Sequence, residues 1–126
     1  MAIENHLSEN GILEVTMVNP PVNALNIKDT FEIATIFNDV ARDKTIKVAI
    51  LTASGKGFCA GVDIKEIESI SGHTGILEVN EACYDAFAAI YECAVHVLVA
   101  VTGFCLGTGI GLAGSADIGI AATEAQ

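Results

Sequence analysis

The sequence predicts an α/β fold with a mostly parallel sheet. Three features carry that prediction. The runs Val48-Ala49-Ile50-Leu51 and Val97 to Val101 are apolar throughout, as strands covered on both faces of a parallel sheet are. Stretches with apolar residues at helical spacing lie between the strand-like runs. Two glycine-bearing segments, Gly55 to Gly61 and Gly103 to Gly114, each follow a strand-like run and precede a helical stretch.

In chain order, Leu13, Val15 and Met17 alternate with Glu14 and Thr16, the pattern of a half-buried strand. Pro20-Pro21 ends it. Asn26 caps a helix, and Asp29 suits the positive end of that helix. Ile33, Ile36, Phe37 and Val40 form its buried stripe. The strand at Val48 follows a charged loop. Ser69 to Gly75 reads as a polar loop, and a second amphipathic helix starts near Ile76, marked by Tyr84, Phe87, Ala88 and Tyr91. Val97 to Val101 is a strand, Gly103 to Gly114 a glycine-jointed turn and short helix, and Ile118 to Ala122 a last strand. Alternating strands and helices of this kind build a parallel sheet.

A chain of 126 residues is one domain or less, yet long enough to bury a core. Being 52% hydrophobic excludes disorder. A net charge of −10 argues against a nucleic-acid partner, which needs clustered Lys and Arg. Cys59, Cys83, Cys93 and Cys105 lack metal-ligand spacing, so no metal is expected, and the thiols read as reduced and packed in a cytoplasmic protein. MAIENHLSEN has no apolar centre and does not read as a signal peptide. Val97 to Ala116 holds no Asp, Glu, Lys or Arg and is long enough to cross a bilayer. It lacks flanking basic residues, and its five glycines suit a turn and a packed helix, so no membrane partner is expected.

In parallel sheets, ligands bind beyond the C-terminal ends of the strands. The two glycine segments therefore meet there, each offering backbone amides at a helix start. Two amides aimed at one point make an oxyanion hole.

FCAGVDIKE (Phe58 to Glu66) and GFCLGTGIGLAGSADI (Gly103 to Ile118) resemble the crotonase family, the enoyl-CoA hydratase/isomerase superfamily. PPVNAL (Pro20 to Leu25) resembles the stretch leading into that family's first helix. The resemblance implies a crotonase-like ββα spiral core, with residues 1–126 as a partial N-terminal core domain truncated before the C-terminal helical region. It implies an acyl-CoA substrate, no cofactor beyond the coenzyme A of that substrate, and a trimeric or hexameric full-length form that residues 1–126 alone are not expected to make. Carried over by position, the amides of Ala60 and Thr108 would hold the thioester carbonyl and stabilise its enolate. Ala60, Gly61, Val62 and Asp63, with Gly107 and Thr108, would line the thioester pocket. Val22, Ala24 and Leu25 would meet the adenine end.

The family's hydratases carry a glutamate where this chain has Gly111. Their second carboxylate would fall past Gln126. Both departures weaken simple hydration, and a glutamate restored at position 111 is expected to point into the pocket. The resemblance therefore implies an acyl-CoA enzyme of this family that stabilises an enolate. The alternatives are a non-catalytic fragment, or a ring-cleaving or β-ketoacyl-CoA hydrolase or isomerase. The motifs resemble members that act on larger or unusual esters, including ring-cleaving hydrolases of actinobacterial steroid breakdown.

Several other readings are weaker. Gly109 to Gly114 satisfies G-x-G-x-x-G but does not directly follow a strand, and no acid lies about 20 residues on. Cys59 and Ser115 lack a nucleophile elbow. His6, His73 and His96 have no evident nucleophile to serve. Asp63 is expected to tie down its own loop through nearby amides rather than act as a base. Lys65 is a candidate for a CoA phosphate, with plain solvation as the alternative. Glu78, Glu81, Asp85 and Glu92 form the wet face of a helix.

Overall fold

The computed structural model describes residues 2–70 and 72–126. A five-stranded sheet runs in the order β1 (Ile3–Leu7), β2 (Ile12–Met17), β3 (Val48–Ala53), β4 (His96–Val101) and β5 (Ile118–Ala121). β1 and β2 form an antiparallel hairpin, with Ile3 opposite Met17. All later neighbours are parallel. The crossovers carry α1 (Ile27–Asp39), α2 (Ile64–Ser69), α3 (His73–Tyr91) and α4 (Thr108–Ser115), as parallel pairing requires.

Alternation along the strands sets the core. Leu13, Val15, Met17, Ala49, Leu51, Val97 and Val99 are buried, while their neighbours Glu14, Ile50 and Leu98 are exposed or half-buried. Ile33, Ala34 and Phe37 of α1 and Ala82, Ala86, Ala89 and Ile90 of α3 are buried. The alanines on α3 let it lie close to α1, its main helical neighbour.

Three elements differ from the sequence reading. β1 was not expected: only Ile3 is buried in it, so its hydrophobic pattern is weak. α2 was not delimited from the sequence, although a helical stretch was expected just after Gly61. It has no fully buried residue, and is held by its cap rather than by a stripe. α3 begins at His73 rather than Ile76, although its first turn has no side-chain cap. Of the expected Ser69–Gly75 loop, Ser71 lies outside the described residues.

The sheet positions the site through β3 and β4. They pair in parallel, with Leu51 opposite Val99, so the chain leaves both at the same end. Among the described residues, no helix is long and apolar enough to cross a membrane.

Candidate functional site

The segments after β3 and β4 are stitched together by their backbones. The Phe58 and Cys59 amides donate to the Phe104 carbonyl at 2.9 and 3.3 Å, and the Leu106 amide donates to the Cys59 carbonyl at 2.9 Å. Beyond that point two glycines face each other. A Cβ on Gly107 would lie 3.5 Å from Gly61 Cα, and one on Gly61 would lie 3.8 Å from the Thr108 nitrogen. Both have positive φ, +106° at Gly61 and +53° at Gly107, which a residue with a side chain adopts at a cost. Close approach and backbone twist both call for glycine here.

The residues just after these glycines carry the informative amides. The N–H groups of Val62 and Thr108 donate to no acceptor among the described residues. The Ala60 amide, expected to be the first of the pair, instead donates to the Val22 carbonyl at 3.1 Å. An amide held that way is not presented to a ligand. The segment Val22–Leu25 runs beside the loop in a parallel bridge between Leu25 and Val62. The Leu25 amide donates to the Gly61 carbonyl and the Asp63 amide to the Leu25 carbonyl, both at 2.8 Å. Leu25 is buried, and both of its backbone groups are engaged.

Between this strap and the loop lies a cleft of about 440 Å³, lined by Asn19 to Val22, Ala24, Ala60 and Val62 to Lys65. The expected residues Val22, Ala24, Ala60, Val62 and Asp63 line it together. The expected Leu25 and Gly61 are buried and do not line it. Gly107 and Thr108 stand at the Gly61 end.

The charged residues of the motif divide their work. Asp63 caps α2: its Oδ1 accepts from the Lys65 and Glu66 amides at 3.0 and 3.4 Å. Glu66 reaches back to α1, where its Oε2 accepts from the Ile27 amide at 2.8 Å. Both carboxylates sit at helix N-termini, where the dipole favours them. Lys65 is exposed on the cleft and is its one cation among the described residues.

Asn23 is the site residue that the sequence reading did not single out. It is buried, at φ +52°. Its Nδ2 donates to the Ser54 and Gly57 carbonyls at 2.7 and 2.8 Å, and its Oδ1 accepts from the Asn19 amide at 2.8 Å. It pins the strap to the segment after β3. The signal was available: Asn is among the few residues that tolerate the left-handed region, and it follows Pro-Pro-Val.

Cys59 is buried, with its Sγ 3.3 Å from the Gly61 amide. Burial pushes its thiol pKa up, and nearby Cys105 and Cys83 add to that. A thiol held neutral is a poor nucleophile, in line with the packing role read from sequence. Gly111 is one turn into α4. A Cβ on it would fall 2.2 Å from Phe87 Cζ, so a side chain there requires the Phe87 ring to shift.

The fold is an α/β crossover sheet with glycine-jointed loops at its strand ends, and between those loops lie two amides that donate to no acceptor among the described residues. The chain matches the enoyl-CoA hydratase/isomerase family over residues 8–126 and belongs to that family. It is 46% identical over 125 residues to a (7aS)-7a-methyl-1,5-dioxo-2,3,5,6,7,7a-hexahydro-1H-indene-carboxyl-CoA hydrolase of Rhodococcus jostii, covering 99% of this chain and 48% of the relative. A carnitinyl-CoA dehydratase of Escherichia coli is 34% identical over 123 residues, covering 96% and 46%. A crystal structure of an enoyl-CoA hydratase from Mycobacterium smegmatis superposes with a TM-score of 0.93 at 28% identity, covering 99% of this chain and 49% of that one. The fold is that of the crotonase superfamily, and the chain spans about half the length of the curated relatives it matches.

Proposed function

We propose that this chain binds an acyl-CoA thioester and stabilises its enolate, with the amides of Val62 and Thr108 as the oxyanion donors. One observation carries the reading. These two N–H groups flank the Gly61–Gly107 contact, and neither has an acceptor among the described residues. Val62 takes the role expected of Ala60 because the Ala60 amide is held by Val22. A carbonyl oxygen between two such donors gains negative charge as the adjacent carbon gives up a proton or a carbon–carbon bond. Fixed donors stabilise that charge without reorganising, and each is worth about 10²–10³ in rate. Val22, Ala24 and Asp63 would line the path of the CoA moiety, with Lys65 positioned toward a phosphate.

Hydrolysis of a ring-bearing CoA ester fits better than hydration. Asp63 and Lys65 are the ionisable side chains of the cleft, and Asp63 is engaged as a cap. Hydration and hydrolysis both consume a water, and position 111 has no side chain to orient one, so the preference rests on the relatives. The relatives at 46% and 44% identity are named as CoA hydrolases.

The test is spectroscopic. The carbonyl stretch of bound cinnamoyl-CoA should fall relative to free ester, and Thr108→Pro should remove most of that shift. Binding with no change in the carbonyl band would refute the two-amide reading.

A further inference from the structure

We infer that Phe87 is a specificity-determining residue of the thioester site, its ring standing as an apolar wall beside the Thr108 amide; this rests on the two-amide reading above. A Cβ on Gly111 would lie 2.2, 2.6 and 2.8 Å from Cζ, Cε1 and Cε2 of Phe87. The far edge of the ring therefore occupies the place a side chain at 111 would take. In a helix each Cα–Cβ bond tilts toward the N-terminus. That place leans back over Thr108, one turn or about 5 Å earlier along α4.

A second contact fixes the same arrangement. Cys83 Sγ lies 3.8 Å from Thr108 Oγ1. Cys83 and Phe87 are four residues apart on α3, so they share a face. Thr108 and Gly111 are three apart on α4 and share a face too. α3 thus approaches the start of α4 through two rungs, Cys83 with Thr108 and Phe87 with Gly111. The Thr108 side chain is taken up by the first rung. The second puts a phenyl edge where other side chains would bring polar atoms.

An acyl group whose carbonyl rests on the Thr108 amide lies within reach of that ring. The wall has two consequences. It keeps water from the α3 side of the carbonyl, which strengthens the hydrogen bonds made there. It also limits the bulk of the acyl group on that side, and apolar walls discriminate by fit. Glycine at 111 and phenylalanine at 87 share this space: a side chain added at 111 requires the Phe87 ring to shift.

The 126-residue chain and its Phe87→Ala, Phe87→Leu and Gly111→Ala variants are titrated with crotonyl-CoA and cinnamoyl-CoA. The ratio of the two dissociation constants is expected to move toward cinnamoyl-CoA by roughly tenfold in Phe87→Ala. Phe87→Leu, which keeps apolar bulk without the ring, is expected to move it less. Gly111→Ala is expected to lower the melting temperature, and adding Phe87→Leu to relieve that loss; this cycle decides the matter if Phe87→Ala does not fold. An unchanged ratio in variants that bind both esters, or additive losses in the cycle, would overturn the inference. Thr108→Pro weakens both esters alike and leaves the ratio in place if the two roles are separate. Failure of the unsubstituted chain to bind either ester overturns the thioester reading itself, and Phe87's role with it. Binding with an unmoved ratio overturns only the role of Phe87.

Discussion

The Ala60 amide faces Val22: its N–H donates to the Val22 carbonyl at 3.1 Å, while the Val62 amide two residues on has no acceptor among the described residues. In an unbroken extended segment, amides two residues apart point the same way. Gly61 lies between these two at φ +106° and breaks that rule. The glycine thus turns one amide onto the strap and releases the next.

Proline substitutions separate the two roles. Ala60→Pro deletes the donor to the carbonyl of the exposed Val22, at a cost of about 0.5–1.5 kcal/mol. The melting temperature should fall by several degrees. Thr108 is the first residue of α4, where proline is tolerated because that N–H has no partner inside the helix. Thr108→Pro should therefore melt close to the unsubstituted chain and yet lose the carbonyl shift of a bound thioester. Circular dichroism and the carbonyl band read the two effects separately. Equal destabilisation by both prolines would contradict the assignment.

Asn23 should be the most sensitive polar residue of the strap. Asn23→Ala removes three side-chain hydrogen bonds, and leaves a buried residue at φ +52°. A loss of about 2–4 kcal/mol is expected. Asn23→Gly loses the same bonds but relaxes the backbone, and should recover about 1 kcal/mol of that loss. Denaturant titration of the three chains checks this. Asn23→Ala melting like the unsubstituted chain would show that the strap is held elsewhere.

The parallel sheet was legible because Val48 to Leu51 and Val97 to Val101 are apolar throughout, although burial alternates along β3 and β4 rather than covering both faces. The cap of α1 was legible too, since Asn26 accepts from the Asp29 amide at 2.7 Å, and the resemblance led to the crotonase fold to which the chain belongs. β1 was not legible, because Glu4 to Leu7 are all exposed and carry no alternation of burial. At the site, the sequence located the two meeting loops but not the direction of each amide. That direction depends on the φ of one glycine and on a partner, Val22, far away along the chain, neither of which spacing records. Phe87 was legible as a helix-stripe residue, and its relation to Gly111 appears only once α3 and α4 are placed together.

Asp29 gives a pH dependence with a definite sign. It is buried in the first turn of α1. Burial raises its pKa above the usual carboxylate value, with Glu32 and Glu66 adding to the rise against the nearby Lys28. A raised folded-state pKa means that the folded chain holds the proton more tightly than the unfolded one. The ionised group therefore opposes folding at neutral pH, and its penalty is relieved as pH falls through the raised value toward the unfolded value of 3.8. The neutral variant Asp29→Asn should melt higher than the unsubstituted chain at neutral pH, with the gap closing as pH falls toward that unfolded value. A gap that widens on acidification would reverse the sign and show that the helix dipole outweighs burial here.

The outer edge of β5 predicts how the 126-residue chain behaves in solution. β5 pairs with β4 on one side, and it lies at the end of the strand order. All four of its residues are exposed, and Ile118 and Ile120 stand on one face at 52% and 59% exposure. Alternate isoleucines on an edge strand offer both an apolar face and unpaired backbone groups, the combination that promotes strand pairing between copies. Tyr84, Tyr91, Leu106 and Ile110 are exposed as well, so apolar surface is not confined to this edge. The chain should associate with rising concentration and bind a hydrophobic dye. Ile120→Lys should suppress association more than Tyr91→Lys does, because the lysine blocks edge pairing as well as reducing apolar area. Sedimentation velocity separates the cases. A monomer at all concentrations without dye binding would sink the prediction, while association suppressed more by Tyr91→Lys would move the contact from the β5 edge to α3.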